Sequence, residues 1–173
     1  KNYITDFRCT PLFDQGSVEF NIKTKSAKKN TKIMIQISFR DTLIAEDIIT
    51  VNNIETKRIY DIFQKKIFRG YTHGSGWTWT PENPNLFDVT LTLITDDKIA
   101  DKIESYFGMR KIHTENGKIY LNNRPYYQRL VLDQGYWPDS LMTAPSDEDF
   151  KKDIILAKKM GFNGCRKHQK IED

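Results

Sequence analysis

The sequence predicts a mostly β protein: an immunoglobulin-like sandwich over residues 1–110, then a parallel β-α-β unit that begins and does not finish. Three observations predict it. Apolar residues alternate with period two through the first part of the chain. A capped amphipathic helix follows a strand-like run near residue 130. A second strand-like run comes directly after that helix, and the sequence stops. Two parallel strands joined by a helix cannot bury both their faces alone, so the pattern reads as a piece of a larger protein.

The alternation is explicit in three segments. Val18, Phe20 and Ile22 alternate with Glu19, Asn21 and Lys23. Ile33, Ile35, Ile37 and Phe39 alternate with Met34, Gln36 and Ser38. Phe87, Val89, Leu91 and Leu93 alternate with Asp88, Thr90 and Thr92. Strands apolar on one face are what two packed antiparallel sheets require. Less regular strands are expected at Thr42–Ala45, Ile48–Val51, Ile59–Ile67 and Ile99–Phe107. That gives about seven short strands, the number of an immunoglobulin-like sandwich. No cysteine pair bridges two sheets, so the domain is not of antibody type.

The segment Gly70–Asn85 holds Trp77 and Trp79 among glycines and prolines. Its aromatics serve either as a sugar-stacking platform or as a plug that seals the sandwich, and the plug is the expectation, because tryptophan in an ordered loop is usually buried. The basic run Lys23–Lys32 contains no aromatic residue and reads as a solvated hairpin loop, not a nucleic-acid platform. A net charge of +4 adds little to that side of the balance. Cys9 and Cys165 stand far apart and form no disulfide or metal framework; His73 and His113 lack metal-spaced companions. No cofactor is implied. No stretch approaches the roughly 20 apolar residues of a membrane span, so no membrane partner is expected. Lysine-, isoleucine- and asparagine-rich composition points weakly to a bacterial source.

The sandwich gives way to the second part near residue 111. Asn116-Gly117 and Asn122-Asn123 mark two turns around the short strand Lys118–Leu121, and Tyr126–Leu132 is the next expected strand. Ser146 caps a helix over Asp147–Met160, with Asp147, Glu148 and Asp149 at the positive end of its dipole. Capping, not catalysis, explains that acidic cluster. Phe150, Ile154, Ala157 and Gly161 share one face, Lys158 and Lys159 suit the negative end, and Gly161 is the stop. Phe162–Arg166 opens the second strand.

Four stretches in this order resemble glycoside hydrolase family 2, the group of β-galactosidases, β-glucuronidases and β-mannosidases. They are Trp79–Phe87, Phe107–Ile112, Asn116–Pro125 and Lys158–Arg166. The resemblance implies that residues 111–173 are a lead-in hairpin and the incomplete β-α-β start of a (β/α)8 barrel. It further implies retaining hydrolysis of β-linked sugars by two glutamates, both on later strands absent from this sequence. The isolated chain is therefore expected to be inactive.

What remains is pocket wall. Barrel sites form at the carboxyl ends of strands, which places Asp133, Gln134, Arg166 and His168 at the mouth. Arg166 matches a family arginine that reaches toward the nucleophile. His168 resembles the histidine that follows, one residue closer than usual. The family's glycine, arginine and histidine on the first strand are replaced by Leu130, Asp133 and Gln134. Asp133 and Arg166 end neighbouring strands, and a charge-assisted contact between them is expected as readily as two separate solvated groups. Trp137, in the loop after the first strand, reads either as a sugar-stacking wall or as loop packing.

The competing reading is a stand-alone sandwich that binds carbohydrate or protein. The amphipathic helix and following strand argue for a barrel start instead. Carbohydrate is thus the expected partner of the full-length protein. Apolar residues uncovered at Leu130–Leu132, Phe150, Ile154 and Ala157 predict self-association or poor order of the last sixty residues, unless they fold back on the sandwich.

Overall fold

A computed structural model describes residues 2–65, 68 and 76–168. Seven strands build the first part: β1 (Ile4–Leu12), β2 (Ser17–Thr24), β3 (Thr31–Phe39), β4 (Thr42–Thr50), β5 (Glu55–Asp61), β6 (Phe87–Thr95) and β7 (Lys98–Phe107). They form a three-stranded sheet, β1-β2-β5, and a four-stranded sheet, β4-β3-β6-β7. Every pairing is antiparallel. This is a two-sheet β-sandwich of immunoglobulin-like organisation.

The alternation sets which face is buried. Val18, Phe20 and Ile22 from β2, Ile33, Ile35, Ile37 and Phe39 from β3, and Phe87, Val89, Leu91 and Leu93 from β6 are all at most 2% exposed. The aromatic centre is a run of ring contacts, Phe39–Phe87 at 4.8 Å, Phe87–Phe107 at 4.9 Å and Phe20–Phe107 at 5.9 Å. Fully burying such side chains stabilises by roughly 1.5–3 kcal/mol each.

Three local expectations need correction. The segments Thr42–Ala45 and Ile48–Val51 are one strand, β4, continuous through a register shift opposite Ile37/Ser38. The strand expected at Ile59–Ile67 is displaced toward the N-terminus as β5, because the polar run Glu55–Arg58 pairs with β2 along a sheet edge; residues 66 and 67 lie outside the described residues. The basic run is exposed over Ala27–Asn30, yet it joins strands of different sheets and is no hairpin.

Gly16 follows a single 3-10 turn (Phe13–Gln15) at φ +65°, and a Cβ there would stand 2.5 Å from that of Phe63. Its carbonyl accepts from both Ile62 and Phe63 N–H at 2.9 Å. The tight approach of these two backbones excludes a side chain at this position.

The second part contains β8 (Ile112–Glu115), β9 (Lys118–Leu121), β10 (Arg124–Pro125), β11 (Leu130–Asp133), α1 (Asp147–Lys159) and β12 (Gly164–Lys167). The chain forms two compact units, residues 1–113 with 121–123, and 114–120 with 124–173. Asn116 and Gly117, and then Asn122 and Asn123, all have positive φ, as the tight turns of consecutive hairpins require. The strand expected from Tyr126 starts only at Leu130. Pro125 has no N–H, and Asn163 takes the place of a ladder: its Oδ1 accepts from Arg129 N–H and its Nδ2 donates to the Tyr127 carbonyl, both at 2.8 Å.

Helix α1 has the expected ends. Ser146 Oγ accepts from Asp149 N–H at 3.3 Å. At the other end Gly161 N–H donates to Lys158 and Phe162 N–H to Ala157, a Schellman closure with Gly161 at φ +89°. No residue of the helix is buried.

Candidate functional site

The parallel pair β11–β12 sets the geometry of the predicted site. Its register is Leu130 with Gly164, Val131 with Cys165, Leu132 with Arg166 and Asp133 with Lys167. Side chains alternate along a strand, so Asp133 and Lys167 share one face while Leu132 and Arg166 share the other. Gly164 makes room for the leucine opposite: a Cβ at 164 would meet Leu130 Cδ2 at 2.9 Å.

Of the two alternatives open for Asp133 and Arg166, the register favours separate groups: Asp133 pairs with Lys167. Lys167 Nζ donates to Asp133 Oδ2 at 3.0 Å, with the two side chains 29% and 43% exposed. Asp133 Oδ1 accepts from Gly135 N–H at 2.8 Å, and its carbonyl accepts from His168 N–H at 2.8 Å. Asp133 thus ties together the strand end, the loop after it and the end of β12. Lys167 escaped notice in the sequence because it sits inside a polar run, and only the register reveals which neighbour faces Asp133. Asn163 escaped because, between Phe162 and Gly164, it looks like an ordinary loop residue.

Gln134 and His168 are the first residues beyond the two strands, and the structure brings them together: Gln134 Nε2 lies 3.3 Å from His168 Nδ1. Arg166 is exposed on the opposite face of the pair from Asp133. Trp137 is half-buried and meets Phe150 of α1 edge-on, with centroids 5.7 Å apart at 88°. It is held by reciprocal backbone bonds with Leu141 at 2.7 and 3.1 Å. The indole packs on the helix.

In the first unit the aromatic loop is built as a plug. Trp77 is 3% exposed and lies 5.3 Å from Phe68 and 6.5 Å from Phe87. Trp79 sits under the Arg110 guanidinium at 4.8 Å. The part of this loop containing His73 lies outside the described residues.

Asn122 fastens the same region. Its Oδ1 accepts from Lys111 N–H at 3.0 Å, and its Nδ2 donates to the Trp79 carbonyl at 2.9 Å. Asp14 accepts from Asn123 Nδ2 at 2.7 Å and from Lys111 Nζ at 2.5 Å. These bonds hold its carboxyl below the ordinary carboxylate value, with the charges of Lys111 and His113 adding to the effect.

A groove of about 410 Å³ runs along β1 and β7, lined in part by Arg8, Cys9, Tyr106 and Arg110. Burial pushes the Cys9 thiol up to about 12, so it stays protonated and unreactive near neutral pH. Among the described residues no group of three His, Cys, Asp or Glu stands close enough to hold a metal ion. No described helix is long and apolar enough to cross a membrane.

Comparison with known proteins bears on this geometry. The sequence model of glycosyl hydrolases family 2 matches residues 2–110. A β-galactosidase of Alteromonas mediterranea is 26% identical over 175 residues, covering 96% of the chain and 16% of the relative. A β-galactosidase of Photobacterium profundum is 34% identical over 89 residues, covering 51% of the chain and 8% of the relative. The chain thus spans a small part of the length of these relatives. Among solved structures, a family 2 β-galacturonidase from Eisenbergiella tayi bound to galacturonate superposes with TM-score 0.69 at 20% identity, over 99% of the chain and 30% of its own. A β-glucuronidase from Ruminococcus gnavus superposes with TM-score 0.71 at 15% identity, over 98% of the chain and 26% of its own.

Proposed function

The chain belongs to glycosyl hydrolase family 2, and from that premise we propose that it is part of a retaining β-glycosidase, β-galactosidase-like or β-glucuronidase-like. Residues 1–110 form its immunoglobulin-like domain. Residues 111–173 supply the lead-in hairpin and the first β-α-β portion of its (β/α)8 barrel.

One observation carries this reading. Strands β11 and β12 are parallel neighbours with α1 between them in sequence, and polar side chains gather at their carboxyl ends. Parallel β/α enzymes place their sites there. A binding module has no use for such a crossover.

The chemistry assigned to the full-length protein needs two carboxyl groups about 5–5.5 Å apart, one as acid and one as nucleophile. Both belong to later strands. The isolated chain therefore contributes wall, and by itself hydrolyses nothing. On this wall Arg166 is positioned to keep a neighbouring carboxylate ionised. Gln134 and His168 border the sugar, Trp137 shapes the loop above it, and Asp133 with Lys167 fixes the strand ends. Sugar is the partner of the full-length protein.

The test is hydrolysis of a panel of nitrophenyl β-glycosides by this chain and by the full-length protein. The expected result is turnover by the full-length protein alone, with the preferred glycoside naming the sugar. Turnover by the 173-residue chain would overturn the assignment of the carboxyl pair. No turnover by a folded full-length protein would overturn the glycosidase reading.

A further inference from the structure

The two open sides of the sandwich are closed differently. Its edge strands are β1 and β5 in one sheet and β4 and β7 in the other. On the β4–β5 side, Tyr60 Oη donates to Asp47 Oδ2 at 3.0 Å, and Arg58 Nε lies 3.9 Å from the same carboxylate. On the β1–β7 side the tie is at the start of β1, where Ile4 N–H donates to Asp101 Oδ2 at 2.9 Å. Beyond that tie lies the groove of about 410 Å³.

The groove is a cationic slot with an apolar lining. Phe7, Phe107 and the protonated thiol of Cys9 contribute no charge. Arg8 and Arg110 are its charged residues, and no carboxylate shares the lining. The nearest carboxylates along the two strands, Asp6 and Glu104, are engaged by Lys23 and Lys102 at 3.5 and 2.7 Å. Among the described residues neither guanidinium forms an ion pair or donates a hydrogen bond. Arg58 on the opposite side has its carboxylate, and these two do not.

Arg110 is also held in place. Its guanidinium stacks on Trp79 at 4.8 Å, and Trp79 N–H donates to the Met109 carbonyl at 3.0 Å. Gly108 admits the indole, since a Cβ there would lie 3.1 Å from that of Trp79. A guanidinium stacked on an aromatic face keeps its N–H edge for a carboxylate and loses little freedom on binding one.

An edge strand directs every second N–H and carbonyl away from its single neighbour. On β1 this edge is interrupted by the irregularity at Ile4–Asp6 and by Pro11, which has no N–H. The register of β7 is regular from Asp101 to Phe107. An extended segment laid along β7 takes up its free main-chain groups and turns alternate side chains toward the groove.

We propose that this groove is a docking site for an extended acidic segment of another polypeptide, which pairs along β7 and gives its carboxylates to Arg8 and Arg110. Such docking does not depend on hydrolysis.

The probe is a peptide of about eight residues alternating glutamate with threonine, added to the nitrogen-15-labelled 173-residue chain. Amide signals of Phe7–Thr10 and Ser105–Arg110 are expected to shift, while those of β4 and β5 stay in place. The same peptide with lysine for glutamate is expected to shift none of them. Arg8→Gln and Arg110→Gln should each weaken binding about tenfold, the size of one charge-assisted hydrogen bond. Both side chains are exposed, and unchanged amide signals of β3 and β6 show that the variants are folded. No shift at about 1 mM peptide, shifts on the β4–β5 side, equal binding of the lysine peptide, or variants that bind as well as the native chain would overturn the proposal. Inorganic phosphate that moves the same signals at the same concentration would overturn the peptide as occupant and leave a bare anion site.

Discussion

The two units bury their apolar residues very differently. In the sandwich, alternating residues of β2, β3 and β6 are removed from water almost completely. From residue 124 to 168 no hydrophobic side chain is buried, and Phe150, Ile154 and Met160 of α1 are 37%, 60% and 75% exposed. Yet α1 is as well specified locally as any strand, with an N-cap and a Schellman closure. Local signals define an element, whereas a core needs a second surface to close against. The sandwich contains both of its surfaces. The β-α-β unit presents one, which is how the start of a barrel behaves in the proposed reading.

The contrast is broken or sharpened most strongly by truncating one side chain in each unit. Phe87→Ala removes a ring that contacts Phe39, Phe68, Trp77 and Phe107, and the expected cost is about 3–5 kcal/mol in denaturant unfolding. Ile154→Ala is expected to change the same transition by less than about 0.5 kcal/mol. Comparable losses from the two would show that α1 packs into the same core.

Gly16→Ala comes next. Positive φ and the approach of Phe63 together predict a loss of more than about 1 kcal/mol in the sandwich transition. A neutral outcome would mean that the Phe13–Gln15 turn relaxes freely. In the other unit, Ser146→Ala removes the cap of α1 and is expected to cost the helix about 1 kcal/mol. Faster amide exchange confined to the first turn of α1 is the signature; an effect spread over β2 and β3 would contradict the separation.

The smallest effect concerns acid. The carboxyl of Asp14 is held below its ordinary value of 3.8 by Asn123 and Lys111. A depressed folded-state value gives a contribution that is present above the unfolded value and lost as pH falls through the lower folded one. Asp14→Asn should therefore lower stability slightly above about pH 4, by an amount kept small because the group is exposed, and the variant and native curves should converge as pH falls below that. A difference that persists undiminished in acid would contradict this origin.

The sandwich was legible in sequence because burial on one face of a strand writes itself as alternation. Val18–Ile22, Ile33–Phe39 and Phe87–Leu93 needed nothing further. The edge strand β5 was misplaced, since an edge tolerates the polar Glu55–Arg58 and shows no such pattern. At the candidate site the strand-end residues Asp133, Gln134, Arg166 and His168 were legible, but their pairing was not. Whether Asp133 meets Arg166 or Lys167 depends on a register of one residue, which inverts every face. No local signal carries that information across the thirty residues between the strands. Asn163 likewise looks like an ordinary loop residue until its two bonds to the 127–129 segment are seen.

The central claim is that the β-α-β unit takes its missing core from further barrel strands of the full-length protein. Amide hydrogen exchange, measured peptide by peptide on this chain and on the full-length protein, tests it most directly. The account predicts strong protection of β2, β3 and β6 in both, with α1 and β11 protected only in the full-length protein. In the isolated chain, protection of α1 that appears with rising concentration would be the mark of self-association through the same uncovered face. Protection of α1 equal to that of β3 in a dilute, monomeric chain would contradict the account.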